Sequence, residues 1–226
     1  MSKLSPDVTA RLQNYRSQID AIDDQLIALL KQRIGIVAQV GKMKREETPL
    51  KNFIRSGREA VMVKRLYEEF RDSNFHPAAA AAMWRLIISA SIHHEAPLNV
   101  ATTNALTAVG AEYFGSFMPQ QPCANDIDAL KLAAQDKQTI AVIAIDSAAL
   151  LAQPAYHHLK IFALLPYIPS PLPRPQAYAV AQLIPEDTGE DVSIFYTENL
   201  IALEGYHTQQ PKALWLGSYA KPIVAD

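Results

Sequence analysis

Cysteine occurs once in this chain, at Cys123, so no internal disulfide can form. The same scarcity removes every Cys/His zinc spacing. The paired histidines His93-His94 and His157-His158 do not replace it, because neighbours on a helix or strand point in different directions. Glycine is thin as well, with 8 in 226 residues, and Gly110–Gly115 lacks the spacing of a nucleotide loop. No stretch approaches 18 apolar residues, and Met1–Ala10 lacks the apolar run of a signal peptide. Charge of neither sign dominates: the net charge is -2 and no basic tract stands out. These absences lead us to expect a cytoplasmic protein with no metal site, no nucleic-acid partner and no membrane partner. The length suits one large domain or two small ones.

What the chain does have is a long apolar stripe. Leu12, Tyr15, Ile19, Ile22, Leu26 and Leu29 follow steps of three and four, and Leu30, Ile34, Val37 and Val40 continue the run. No proline interrupts Leu12–Lys44, so the spacing predicts one amphipathic helix roughly 50 Å long. A stripe of that length needs a comparably long partner, and a second copy of the helix is the simplest candidate. Arg33, Val37, Val40 and Lys44 share one face, where two cations suit an anionic ligand as well as they suit solvent.

Ser5-Pro6-Asp7 reads as the start of this helix, and Thr48-Pro49 predicts its end near Arg45. A second helix is predicted over Ser56–Asp72, with Val61, Leu66 and Phe70 inward, and a third over Pro77–Glu95. After Pro97 the pattern changes to short strands and helices. Strands are predicted at Leu98–Thr103, Thr139–Ile145, Leu159–Leu165, Tyr178–Ile184, Asp191–Thr197 and Ala213–Gly217, and helices at Ala108–Phe114 and Asp126–Gln135. Pro166–Pro175 holds five prolines in ten residues, a stiff connector. The expected architecture is multidomain: an all-α domain over 1–96, then a small α/β domain over 97–226 with some parallel sheet.

The run Tyr-Arg-Ser-Gln-Ile-Asp-Ala-Ile-Asp-Asp-Gln-Leu from Tyr15, then Arg33, then Val-Gly-Lys-Met-Lys ending at Lys44, resembles the first helix of the all-helical chorismate mutases. Arg58-Glu59 and Met83–Glu95 extend the resemblance to roughly residues 10 to 95. It implies an intertwined helical homodimer with shared active sites that rearranges chorismate to prephenate in aromatic amino-acid biosynthesis. That pericyclic step needs no cofactor, metal or nucleophile. By the same resemblance Arg33 clamps a carboxylate, and Lys44 reaches a carboxylate and the ether oxygen. Arg58 supports the anionic cluster and Glu59 accepts from the ring hydroxyl. Ile88 and Ile92 line the ring, Ser91 meets the ring carboxylate, and Glu95 lies beside the ether oxygen. Arg16 is the second carboxylate clamp. It lies 17 residues before Arg33, roughly 25 Å along one helix, so both can serve one substrate only across two antiparallel chains.

Two departures from the family stand out. Arg55 occupies a position where the family commonly has an acid, and the loop before it is three residues longer. Glu95 replaces a glutamine common in bacterial members, and only its protonated form can donate to the ether oxygen. The second half weakly resembles a reduced prephenate dehydratase lobe with an ACT-like tail. It has no Thr-Arg-Phe after Pro97, so dehydratase activity is not expected. Two alternatives remain at this level. An isochorismate-pyruvate lyase would share the fold, although that family is usually a short chain. A non-catalytic helical dimer with an effector-binding second domain would have no need of Arg16, Arg33, Lys44, Arg58 and Glu59 together.

Overall fold

The structure is a computed structural model describing residues 5–47, 54–170 and 172–224; the side chains of Lys44, Arg45 and Glu47 lie outside the description. The chain divides into two compact units, Met1–Lys51 and Asn52–Asp226.

The first unit is a single helix, α1 (Pro6–Glu47), of 42 residues. Ser5 caps it as expected: its Oγ accepts the Val8 N–H at 3.4 Å. The helix runs two residues past the expected end, to Glu47, the last described residue before Pro49. From Leu12 to Leu30 its stripe is exposed in the single chain, with Tyr15 at 54%, Ile19 at 57% and Leu29 at 60% of full accessibility, whereas Ile34, Val37 and Val40 are partly buried.

The second unit opens with α2 (Ser56–Glu69) and α3 (Pro77–Glu95). The α2 helix stops three residues short of Asp72, with Phe70 at its C-cap. Its inward residues are Ala60, Val63 and Tyr67, whereas Val61 is half exposed and Leu66 and Phe70 are only partly buried. The period is helical, as read, but the buried face is rotated. Ala60 is small enough to admit Tyr167, whose hydroxyl donates to the Ala60 carbonyl at 3.0 Å. The α3 helix has its expected bounds, and the His76 ring accepts the Ala78 N–H at 3.2 Å ahead of Pro77.

The α/β part follows as β1 (Asn99–Thr103), α4 (Thr107–Phe114), β2 (Gln120–Cys123), α5 (Asp126–Gln135) and β3 (Thr139–Ala144). After two short 3-10 helices, Ile145–Ala152 and Pro154–Tyr156, come β4 (Lys160–Leu165), β5 (Ala177–Ala181), β6 (Asp191–Tyr196), β7 (Leu200–Glu204) and β8 (Leu214–Ala220). The eight strands form one mixed sheet in the order β2-β1-β3-β5-β4-β8-β6-β7. Parallel pairing joins β1 to β2 and β3, and β4 to β8; the other neighbours are antiparallel. The β4–β8 seam closes at Ile161 and Gly217. Gly217 has φ +143, and a Cβ there would stand 2.2 Å from the Ile161 carbonyl oxygen, so only glycine fits.

Strand alternation divides the apolar residues between two cores. Val100, Ile140, Val142, Ala177 and Ala179 face one core with Val109 and Phe114 of α4. Ala101, Ala141, Ile143, Tyr178 and Val180 face the other with Leu130 and Ala133 of α5. The first core also contains Ala60, Val63 and Tyr67 of α2 and Ala81, Ile88 and Ile92 of α3. The two helices therefore share one apolar interior with the sheet, and the Asn52–Asp226 unit crosses residue 96 without a break in packing.

Candidate active site

The best-defined polar assembly in the second unit centres on Glu59 and Arg85. The Arg85 side chain is 2% exposed and that of Glu59 is 8% exposed, and their Nη1–Oε2 separation is 2.8 Å. The Arg85 Nε donates to the Tyr113 carbonyl at 3.1 Å and Nη2 donates to Ser89 Oγ at 3.2 Å. The guanidinium carbon lies 4.4 Å from the centre of the Tyr113 ring. Glu59 Oε1 accepts the backbone N–H of Arg55 at 2.8 Å. Among the described residues each carboxylate oxygen thus holds one donor, and an sp2 oxygen can accept a second.

This setting explains the electrostatics. Burial on its own would lower the Arg85 guanidinium, but the charges of Tyr113 and Glu59 outweigh it and hold the group above its usual value. Burial pushes the Tyr113 phenol up to about 12, against a smaller downward pull from Arg85. Burial likewise pushes the Tyr167 phenol upward.

The expected substrate-binding residues fall on both units. In the first, Arg16 is exposed and Arg33 partly buried on α1; Lys44 is on the same helix, and its side chain lies outside the described residues. In the second, Arg58 is exposed on the first turn of α2, next to buried Glu59. On α3, Ile88, Ser91 and Ile92 are buried and Glu95 is partly buried. Ser91 Oγ donates back to the Ile87 carbonyl at 2.7 Å. Ile88 and Ile92 belong to the apolar core that reaches the sheet. The structure thus gathers Arg58 and Glu59 on one turn and Ile88, Ser91, Ile92 and Glu95 on one helix face.

Sequence reasoning missed Arg85 and Glu186. Arg85 had a signal, being the only charge between Pro77 and Ile92, and a lone charge in an apolar helix needs a buried partner. Glu186 had none. It lies 128 residues from Arg58, yet its Oε2 accepts the Arg58 N–H at 3.3 Å, and its Oε1 lies 2.9 Å from the Arg55 Nε. Arg55 thus pairs with an acid from the α/β part.

Residues 15–96 match the model for chorismate mutase type II. This segment is therefore a type II chorismate mutase domain, an isomerase domain of aromatic amino-acid biosynthesis whose family substrate is chorismate, and an α/β region with an eight-stranded mixed sheet follows it. No curated protein and no solved structure matches the chain. Among the described residues, no helix is long and apolar enough to cross a membrane.

Proposed function

We propose that this chain catalyses the rearrangement of chorismate to prephenate, as a cytoplasmic homodimer with shared sites. The observation that carries the reading is the family match over 15–96, a span that contains Arg16, Arg33, Lys44, Arg58 and Glu59. Chorismate carries two carboxylates, and forked guanidinium donors suit them. The protein's task is to hold the folded, reactive conformer. It must also stabilise negative charge growing on the ether oxygen. Arg33 and Arg16 of a second chain clamp the carboxylates, and the Ser91 hydroxyl meets the ring carboxylate by turning away from the Ile87 carbonyl. Lys44 and Glu95 serve the ether oxygen. Glu59, whose oxygens can each accept a second bond, accepts from the ring hydroxyl, beside Arg58.

The exposed stripe of α1 supports the dimer. Burying one large apolar side chain contributes about 1.5–3 kcal/mol, and Tyr15, Ile19, Ile22, Leu26 and Leu29 are all at least half exposed in the single chain. The functional division is proposed at residue 96, where the family match ends, with 97–226 taking no catalytic step. The test is a chorismate-disappearance assay with the product identified as prephenate, run with and without aromatic amino acids, alongside solution scattering for the dimer. Failure to consume chorismate, or release of pyruvate instead, would refute the reading.

A further inference from the structure

We infer that Glu186, contributed by the α/β part, is a positioning residue for the Arg58–Glu59 pair, holding the first turn of α2 from outside the mutase segment; this rests on the mutase reading above. The first amides of a helix have no partner inside it. A side chain at the N-cap usually accepts one of them, but Arg55 occupies that place and makes no side-chain cap. The Glu186 carboxylate takes over the task, accepting the Arg58 N–H and pairing with the Arg55 guanidinium. Negative charge is also favoured at this end of the helix dipole.

The approach is built into the backbone. A Cβ on Gly57 would stand 2.8 Å from the Glu186 Cβ and 2.9 Å from its carbonyl oxygen, so the loop presses directly on the turn. Tyr206 fixes the loop by donating its hydroxyl to the Pro185 carbonyl at 2.6 Å. Further along α2, Tyr167 donates to the Ala60 carbonyl and Lys64 pairs with Glu190. Three ties therefore run from the α/β part to one helix, and the first meets the turn that carries Arg58 and Glu59. Arg55 and Glu186 are both more than a third exposed, so their pairing acts through geometry more than through energy.

The test compares full-length wild type, Glu186→Ala, Glu186→Gln and a distant control, Glu198→Ala. Hydrogen exchange over residues 54–64 reads the cap. Glu186→Ala should speed exchange of the Arg58 amide about tenfold, the size expected for one lost helix cap. Steady-state kinetics read the positioning. Glu186→Ala should raise KM for chorismate about tenfold with a smaller change in kcat, as for lost binding geometry. Glu186→Gln should recover most of both, because its amide oxygen still accepts the N–H. The control should match wild type. Unchanged exchange in Glu186→Ala would overturn the cap, and faster exchange with unaltered KM and kcat would overturn the positioning. A wild type inert toward chorismate would refute the mutase reading, and the exchange result would still decide whether Glu186 holds the turn.

Discussion

Replacing Arg85 with alanine should be the most damaging single change in the second unit. The side chain is almost completely buried and makes three hydrogen bonds, one of them to the buried Glu59 carboxylate. Removing it leaves that carboxylate with the Arg55 N–H as its remaining donor of the two described and leaves the Tyr113 carbonyl without the Arg85 Nε. Breaking a buried pair by deleting one partner costs about 3–5 kcal/mol, because the surviving charge is uncompensated. The lost contact with the Tyr113 ring adds about 1 kcal/mol. For a domain of this size each kcal/mol shifts Tm by about 2–4 °C, so a fall of roughly 8–24 °C is expected. Urea unfolding followed by far-UV circular dichroism measures the loss directly. The cycle of Arg85→Met, Glu59→Gln and the double variant isolates the pair, and the double variant should be more stable than either single one. A loss below about 1 kcal/mol for Arg85→Ala, or a double variant no better than the singles, would refute the reasoning.

Arg33→Ala and Lys44→Ala should each lower turnover by about 10²–10³ while the protein stays folded, as for loss of one preorganised donor; near-wild-type rates in both would show the pocket is assigned wrongly. Glu95→Gln, whose amide is a donor of nearly the same shape, should keep or raise the turnover of chorismate, whereas Glu95→Ala should lower it; a Glu95→Ala rate equal to wild type would remove Glu95 from the ether oxygen. Folding stability should drop in alkali. Burial raises the Tyr113 phenol to about 12, so above the unfolded value near 10 only the unfolded chain ionises, and about 3 kcal/mol is lost between the two values; flat stability from pH 9 to 12 would contradict this. Gly217→Ala should destabilise the chain by several kcal/mol through collision with the Ile161 backbone and strain at positive φ, read by the same urea titration; a change below about 0.5 kcal/mol would mean that the seam tolerates a side chain.

Much of the chain was legible because it is governed locally. The stripe from Leu12, the Ser5 cap and the bounds of α3 follow from spacing and capping chemistry, and the structure has all three. Six strands were read within a few residues of their ends. Two were missed. The β2 sequence, Gln-Gln-Pro-Cys, shows neither alternation nor β-branched residues, and as an edge strand it gets its pairing from β1. The other edge, β7, is too exposed to carry a buried signature. The rotation of α2 was invisible because Val61 and Val63 look alike until Tyr167 arrives from more than a hundred residues away. Arg58 and Glu59 could be read from their motif, but the groups that hold them, Arg85 and Glu186, enter through tertiary pairing that spacing does not encode.

The interior shared by α2, α3 and the sheet binds two parts of one gene to a common fate. A free-standing helical domain can gain or shed a neighbour without altering itself. Here Val63, Tyr67, Ile88 and Ile92 would meet water if the strands were lost, so deletion of 97–226 would require repair at several positions at once. No single substitution makes that repair. The helices and the strands therefore stand or fall together, and neither half can be trimmed without uncovering the other's interior.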